Sequence, residues 1–169
     1  VVVHSDLNAL SVIQFAIDML KVQHILVVGH YGCGGVLAAL QNRRIGLADN
    51  WIRHVQDVRN KHRAWLEGMP DEAMRLAALC ELNVLEQLYH LSETPIIQQA
   101  WARGRRPLLH GLVYDLKDGL LHEIATGIYR INTPVEIPGA GHFNFSQYLI
   151  DDEAPLLFQA CLAAFVQRA

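Results

Sequence analysis

The sequence has no excess of positive charge: 14 Lys and Arg stand against 17 Asp and Glu, for a formal net charge of −3 and a pI near 6.3. Without a basic field there is no general attraction to polyanions or to an anionic bilayer, so no nucleic-acid partner is expected. Long apolar runs are missing too. The stretches Ile25 to Val28 and Leu108 to Val113 fall far short of the roughly 20 residues that a spanning helix needs, so no membrane partner is expected. Cysteine is scarce. Cys33, Cys80 and Cys161 are an odd set at spacings unlike any disulfide framework, which favours a reducing compartment, the cytoplasm, and thiol or metal roles. There is no repeat and no low-complexity stretch. No charged segment, apolar core and cleavage site open the chain, and a start at Val1 reads as a cut rather than a natural beginning.

What is present suits one compact α/β domain followed by a different kind of tail. A length of 169 residues with 51% hydrophobic content is ample for a core, since domains commonly hold about 100–150 residues. Val1-Val2-Val3 is a β-branched run that predicts a strand. Ser5-Asp6 then precedes Leu10, Ile13, Ile17 and Leu20 at helical spacing, with Asp6 read as the cap. His24 to Val28 predicts a strand buried on both faces, and strand, helix, strand predicts a parallel pair with a right-handed crossover. Val36 to Leu40 predicts a short helix. Trp51, Ile52, Val55, Val58 and Trp65 predict one amphipathic helix ending near Gly68, with the two tryptophans as packing anchors in the core or between subunits. Glu72 to about Tyr89 predicts a long helix, and Thr94-Pro95 opens another through Ala102. Leu108 to Asp115 reads as a second buried strand that Lys117-Asp118-Gly119 turns back into Leu120 to Ile124. The expected fold is therefore α/β, a small, mainly parallel sheet flanked by helices, over residues 1–126.

The chemistry concentrates at the end of the first long strand, where Gly29-His30-Tyr31-Gly32-Cys33-Gly34-Gly35 puts an imidazole and a thiol on one tight turn. Open α/β sheets present ligands at that carboxyl end. Nitrogen and sulfur are good donors for the borderline-soft Zn2+, so His30 and Cys33 are the candidate metal ligands. Gly34 and Gly35 leave amides and space open at the following helix, which makes them candidates for holding a small substrate or anion. Elsewhere the packing reading prevails: Cys80 as a core cysteine, His110 as a strand histidine donating to a buried carbonyl or carboxylate, and Glu81 as the partner of a buried arginine. The basic pairs at Arg43-Arg44 and within Arg103 to Arg106 read as solvated turns.

Val27-Val28-Gly29-His30-Tyr31-Gly32-Cys33-Gly34-Gly35 resembles the GHxxCGG signature of β-class carbonic anhydrases. Asn50-Trp51-Ile52-Arg53-His54, Cys80-Glu81-Leu82-Asn83-Val84 and His110-Gly111-Leu112-Val113-Tyr114 with Asp118-Gly119-Leu120 are similar to a bacterial branch of that family. The resemblance implies reversible hydration of carbon dioxide to bicarbonate and a proton, zinc as cofactor, His30 and Cys33 as two of three protein ligands, and a homo-oligomer, dimer or tetramer. The family's third ligand lies in an upstream C-x-D-x-R motif with an Asp/Arg dyad, and none of the three cysteines here begins such a motif, so no catalytic dyad is assigned. Phe15 stands where some relatives carry a regulatory tyrosine. A rival reading from the same absence is a non-catalytic oligomerisation or binding module.

Residues 127–169 have a different texture, with Thr133-Pro134, Pro138-Gly139 and Gly141 breaking up short apolar pieces and Pro155 to Val166 predicting a final helix. Pro138 to Ser146 resembles the end of some α/β-hydrolases, with His142 in the place of their catalytic histidine. The chain has no G-x-S-x-G elbow, so neither His142 nor Ser146 is given a triad.

Overall fold

The computed structural model describes residues 1–104 and 107–125 in full and the backbone of 128–137, 141–150 and 156–159. Two compact units form, Val1–Ile124 and Ala125–Ala169. The first runs α1 (Leu7–Asp18), β1 (His24–His30), α2 (Gly34–Leu40), a 3-10 turn (Gly46–Ala48), α3 (Asp49–Lys61), α4 (Arg63–Glu67), α5 (Glu72–Ser92), α6 (Pro95–Ala102), β2 (Leu108–Asp115) and β3 (Leu120–Ala125).

Helix starts follow their caps. The Asp6 carboxylate accepts from the amides of Asn8 and Ala9 at 3.0 and 3.3 Å. Asp71 does the same for the Met74 amide at 2.7 Å, and Thr94 for Ile97 ahead of Pro95 at the first helical position. The amphipathic stretch is two helices rather than one, because His62 (φ −107°, ψ 20°) leaves helical geometry between α3 and α4. On α5, Cys80, Val84, Leu88 and Leu91 are buried at the three- and four-residue spacing that makes one face. That face packs on β1 and β2, and α2 and α3 pack against α5. Leu79, Leu88, Ile97, Ile52, Val55, Leu109 and Val113 are fully enclosed.

The strand that β1 pairs with is not at the N-terminus. Val1–Val3 form no strand. The Val2 amide donates to the Gln87 side chain and the Val2 carbonyl accepts from His90 Nδ1 at 3.1 Å, so α5 side chains satisfy the backbone there. The parallel partner of β1 is β2, with His24 opposite Leu108 and His30 opposite Tyr114. Sheet order is β1-β2-β3. Only four residues separate β2 from β3, which requires an antiparallel hairpin, so the sheet is mixed.

Nor is β1 buried on both faces. Ile25, Val27 and Gly29 face the helices, while His24, Leu26, Val28 and His30 lie on an open face where Leu26 is 57% and Val28 53% exposed. Four apolar residues in a row read as double burial, but here only alternate ones are covered. The same face of the protein surface continues with exposed Leu116, Leu120 and Leu121. Trp51 and Trp65 are 47% and 56% exposed, so neither is a core anchor within this chain.

In the second unit β4 (Ile128–Ile137), β5 (Gly141–Ile150) and β6 (Leu156–Gln159) form an antiparallel sheet in that order. Leu156–Gln159 is thus strand, where the apolar run predicted a helix through Val166; residues 160–166 lie outside the described residues, as does Cys161. His142 pairs with Glu136 and Ser146 with Asn132 in the β4/β5 register, and their side chains are outside the described residues.

Candidate metal centre

β1 ends at His30, and the chain must then turn sharply to start α2 at Gly34. Gly32 makes that turn with φ +69°, a left-handed conformation that a side chain would strain. Gly29 allows the strand to approach α5: a Cβ there would sit 2.6 Å from Val84 Cγ2 and 3.8 Å from the Cys80 carbonyl oxygen. The two glycines set the backbone on which the candidate donors stand.

His30 is exposed, and its Nδ1 lies 3.1 Å from the Tyr31 carbonyl. A carbonyl only accepts, so Nδ1 is the donor of this bond, and in the neutral ring Nε2 carries the lone pair. This is the arrangement in which a histidine binds a metal through Nε2 while its other nitrogen is held by a backbone oxygen. Cys33 is half-buried, unbridged, and occupies the N-cap position of α2 without using its side chain as a cap. A Cβ on Gly35 would lie 3.8 Å from Cys33 Sγ and 3.4 Å from the Trp51 ring; nothing lies within 4 Å of one on Gly34. Space therefore remains beside Gly34. On the open sheet face a groove of about 680 Å3 reaches His30 and is walled by Val28, Gly29, Tyr114, Leu120 and Leu121.

Cys80 lies beneath the turn. Burial pushes its thiol up to about 11, the Cys33 amide pulls the other way, and the neighbouring Cys33 thiol and Glu81 raise it further. It is a protonated, 2%-exposed core residue at neutral pH, in line with the packing reading. Among the described residues Glu81 has no arginine partner. Its Oε1 accepts from the Tyr31 hydroxyl at 2.6 Å. Burial first, and then that bond, push the Tyr31 phenol well above its ordinary value, so it remains a donor. The sequence did not show this pair: Glu81 was conspicuous as a mid-helix acid among apolar neighbours, and Tyr31 sat unmarked inside the glycine motif.

Other histidines take structural partners. His110 Nδ1 is 3.1 Å from Glu123, a carboxylate as expected but an exposed rather than a buried one, and its Nε2 is 3.0 Å from His24 Nδ1. His4 Nε2 is 2.9 Å from the His90 carbonyl. Among the described residues the one group of three potential ligands is Asp115, Asp118 and His122, with ligand atoms within 4.8 Å of one another. Turn chemistry accounts for it: Asp115 accepts from the Lys117 amide, Asp118 from the Leu120 amide, and His122 bonds Asp118 at 3.0 Å. His30 and Cys33 have no third His, Cys, Asp or Glu grouped with them among the described residues.

A family model described as carbonic anhydrase matches residues 1–121, the span that carries β1, the glycine turn, β2 and the turn into β3. The chain belongs to the β-class carbonic anhydrase family. It is 42% identical over 119 residues to a carbonic anhydrase of Emericella nidulans, covering 70% of this chain and 52% of that protein. A carbonic anhydrase of Candida albicans is 34% identical over 122 residues, covering 71% and 43%. Among solved structures, the Coccomyxa β-carbonic anhydrase in complex with acetazolamide superposes with a TM-score of 0.68 at 39% identity, covering 74% of this chain and 57% of that one. One of two tetrameric β-carbonic anhydrases from Sordaria macrospora gives 0.67 at 36%, covering 73% and 63%. This β-carbonic anhydrase family member spans about half the length of the relatives it matches. No helix among its described residues is long and apolar enough to cross a membrane.

Proposed function

We propose that this chain carries the zinc-binding turn of a carbonic anhydrase and contributes to the reversible hydration of carbon dioxide to bicarbonate and a proton. The single observation that supports this most directly is the His30 ring, whose Nδ1 is occupied by the Tyr31 carbonyl at 3.1 Å, leaving Nε2 as donor one turn away from the unbridged Cys33 thiol. The donor chemistry fits Zn2+: one imidazole nitrogen and one sulfur on a glycine-shaped turn. When bound, Zn2+ supplies the Lewis acidity that makes water a nucleophile near neutral pH. His30 and Cys33 would hold it. Val28, Leu120 and Leu121 wall the adjoining groove with apolar surface that suits a small uncharged substrate, and the open space at Gly34 and Gly35 suits the bicarbonate product. Residues 1–126 form the functional domain in this reading, and 127–169 an appendage.

A homo-oligomer accompanies the proposal. The exposed Leu26 and Val28, together with Leu7, Val12, Phe15, Met19 and Leu20 of α1, are apolar surface of the kind that interfaces cover. Sedimentation of the purified chain is expected to report a dimer or tetramer; a monodisperse monomer across the micromolar range would contradict it. The unbridged Cys33 and Cys80 support a reducing compartment, the cytoplasm.

A specific observation favours a second reading. Catalytic zinc sites normally have three protein ligands, and among the described residues no group of three potential ligands includes His30 or Cys33. On this reading the chain is a non-catalytic oligomerisation module. Stopped-flow carbon dioxide hydration in the presence of zinc separates the two: turnover that His30→Ala and Cys33→Ala each reduce at least about a hundredfold is the outcome expected of the enzyme, and oligomers without turnover are the outcome of the module.

A further inference from the structure

The turn that bears His30 and Cys33 is gripped from α5 by a contact that metal binding itself does not require. Tyr31 is tied at three points. Its amide donates to the Tyr114 carbonyl at 3.0 Å, its carbonyl accepts from His30 Nδ1 at 3.1 Å, and its hydroxyl donates to Glu81 Oε1 at 2.6 Å. Its ring packs against the buried cluster that includes Val36, Ala39, Leu79 and Cys80.

We propose that Tyr31, anchored by Glu81, is a positioning residue that fixes the His30 ring with Nδ1 protonated and Nε2 presented as the donor; this deepens the zinc reading above and rests on it for its purpose. The direction of the Tyr31 carbonyl depends on the plane of the peptide that joins it to Gly32. Gly32, at φ +69°, adopts a conformation in which that plane has a sharp turn to make and no side chain to hold it. The amide bond to Tyr114 fixes only the near side of Tyr31. The hydroxyl bond to Glu81 fixes the far end of the side chain to a long, packed helix and so keeps the residue from rotating about its own backbone. Without it the carbonyl loses its alignment on Nδ1, and the His30 proton redistributes between the two ring nitrogens. Groups that orient a ligand histidine in this way typically carry a 10–100-fold effect on metal affinity.

The test uses the tautomer itself. Side-chain 15N NMR of the metal-free protein reads whether His30 holds its proton on Nδ1 or Nε2, in the wild type and in Tyr31→Phe, Glu81→Ala and Glu81→Gln, with circular dichroism and thermal midpoint recorded for each. Titration with Co2+ follows on the same samples. The expected result is an Nδ1-protonated His30 in the wild type and in Glu81→Gln, which still accepts from the phenol. Tyr31→Phe and Glu81→Ala should show a mixture of tautomers and bind Co2+ about tenfold more weakly. If Tyr31→Phe and Glu81→Ala lose thermal stability while His30 keeps the wild-type tautomer, the pair is structural and the proposal is overturned. If the tautomer shifts as expected but no sample binds metal, the positioning role stands and the zinc reading falls.

Discussion

Gly29→Ala is expected to destabilise the chain by about 1–3 kcal/mol, the usual effect of forcing extra volume into a packed interior. The new Cβ would lie 2.6 Å from Val84 Cγ2, well inside van der Waals contact. Val84 has nowhere to go: it is 2% exposed, sits mid-way along α5, and as a β-branched helical residue has essentially one rotamer. Strand and helix must separate. Because His30 follows immediately, the displacement falls where the donors stand. The cause can be isolated by removing the opposing methyl groups, so Gly29→Ala combined with Val84→Ala should be more stable than the sum of the two single changes predicts. Urea unfolding of the four proteins measures this. A Gly29→Ala variant as stable as the wild type, or strict additivity in the double variant, would show that the strand does not rest on Val84.

Acid should weaken the fold through Glu86. This α5 carboxylate is only 16% exposed in its side chain, with Lys61 Nζ at 2.7 Å from one oxygen and His90 Nε2 at 3.5 Å from the other. Burial alone would raise its pKa. The hydrogen bonds and charges of His90 and Lys61 outweigh burial and hold it at about 2, against 4.5 for an ordinary glutamate. A pKa depressed in the folded state contributes stability that is fully present above the unfolded value and is lost as pH falls through the folded one. The window here runs from about pH 4.5 down to about pH 2, and the full difference corresponds to roughly 3 kcal/mol. Glu86→Gln should therefore be less stable than the wild type at pH 7, and the gap should narrow steadily below pH 4.5. Urea midpoints of both proteins at pH 7, 5 and 3.5 give the comparison. A gap that stays constant with pH would mean that shape, and not charge, is what Glu86 contributes.

Much of the fold was legible because local chemistry announces it. Asp6 and Thr94-Pro95 marked two helix starts, and the Asp6 and Thr94 side chains do accept the amides that a cap must satisfy. Asp118-Gly119 marked the β2/β3 hairpin, and Gly119 takes the left-handed conformation that the turn needs. What failed depended on partners distant in sequence. The β-branched run Val1–Val3 had strand propensity, but Gln87 and His90 of α5 claim its backbone. The apolar run in β1 could not reveal that Leu26 and Val28 would face outward. The break at His62 carries no glycine or proline to signal it. Leu156–Gln159 had the composition of a helix and pairs as a strand with β5.

The site shows the same division. The glycine motif placed His30 and Cys33 on one turn beyond a strand, and the structure has that turn. The Glu81 partner was misjudged as an arginine because an acid among apolar residues advertises a need without naming what meets it. Tyr31, 50 residues away in sequence, meets it.

Zinc content of the purified chain by elemental analysis, with His30→Ala and Cys33→Ala alongside, is the most direct measurement. One zinc per chain in the wild type, lost in both variants while their helical content is retained, is the predicted result. A wild type that binds no zinc, or variants that hold zinc as well as it does, would contradict the assignment of His30 and Cys33 as its ligands.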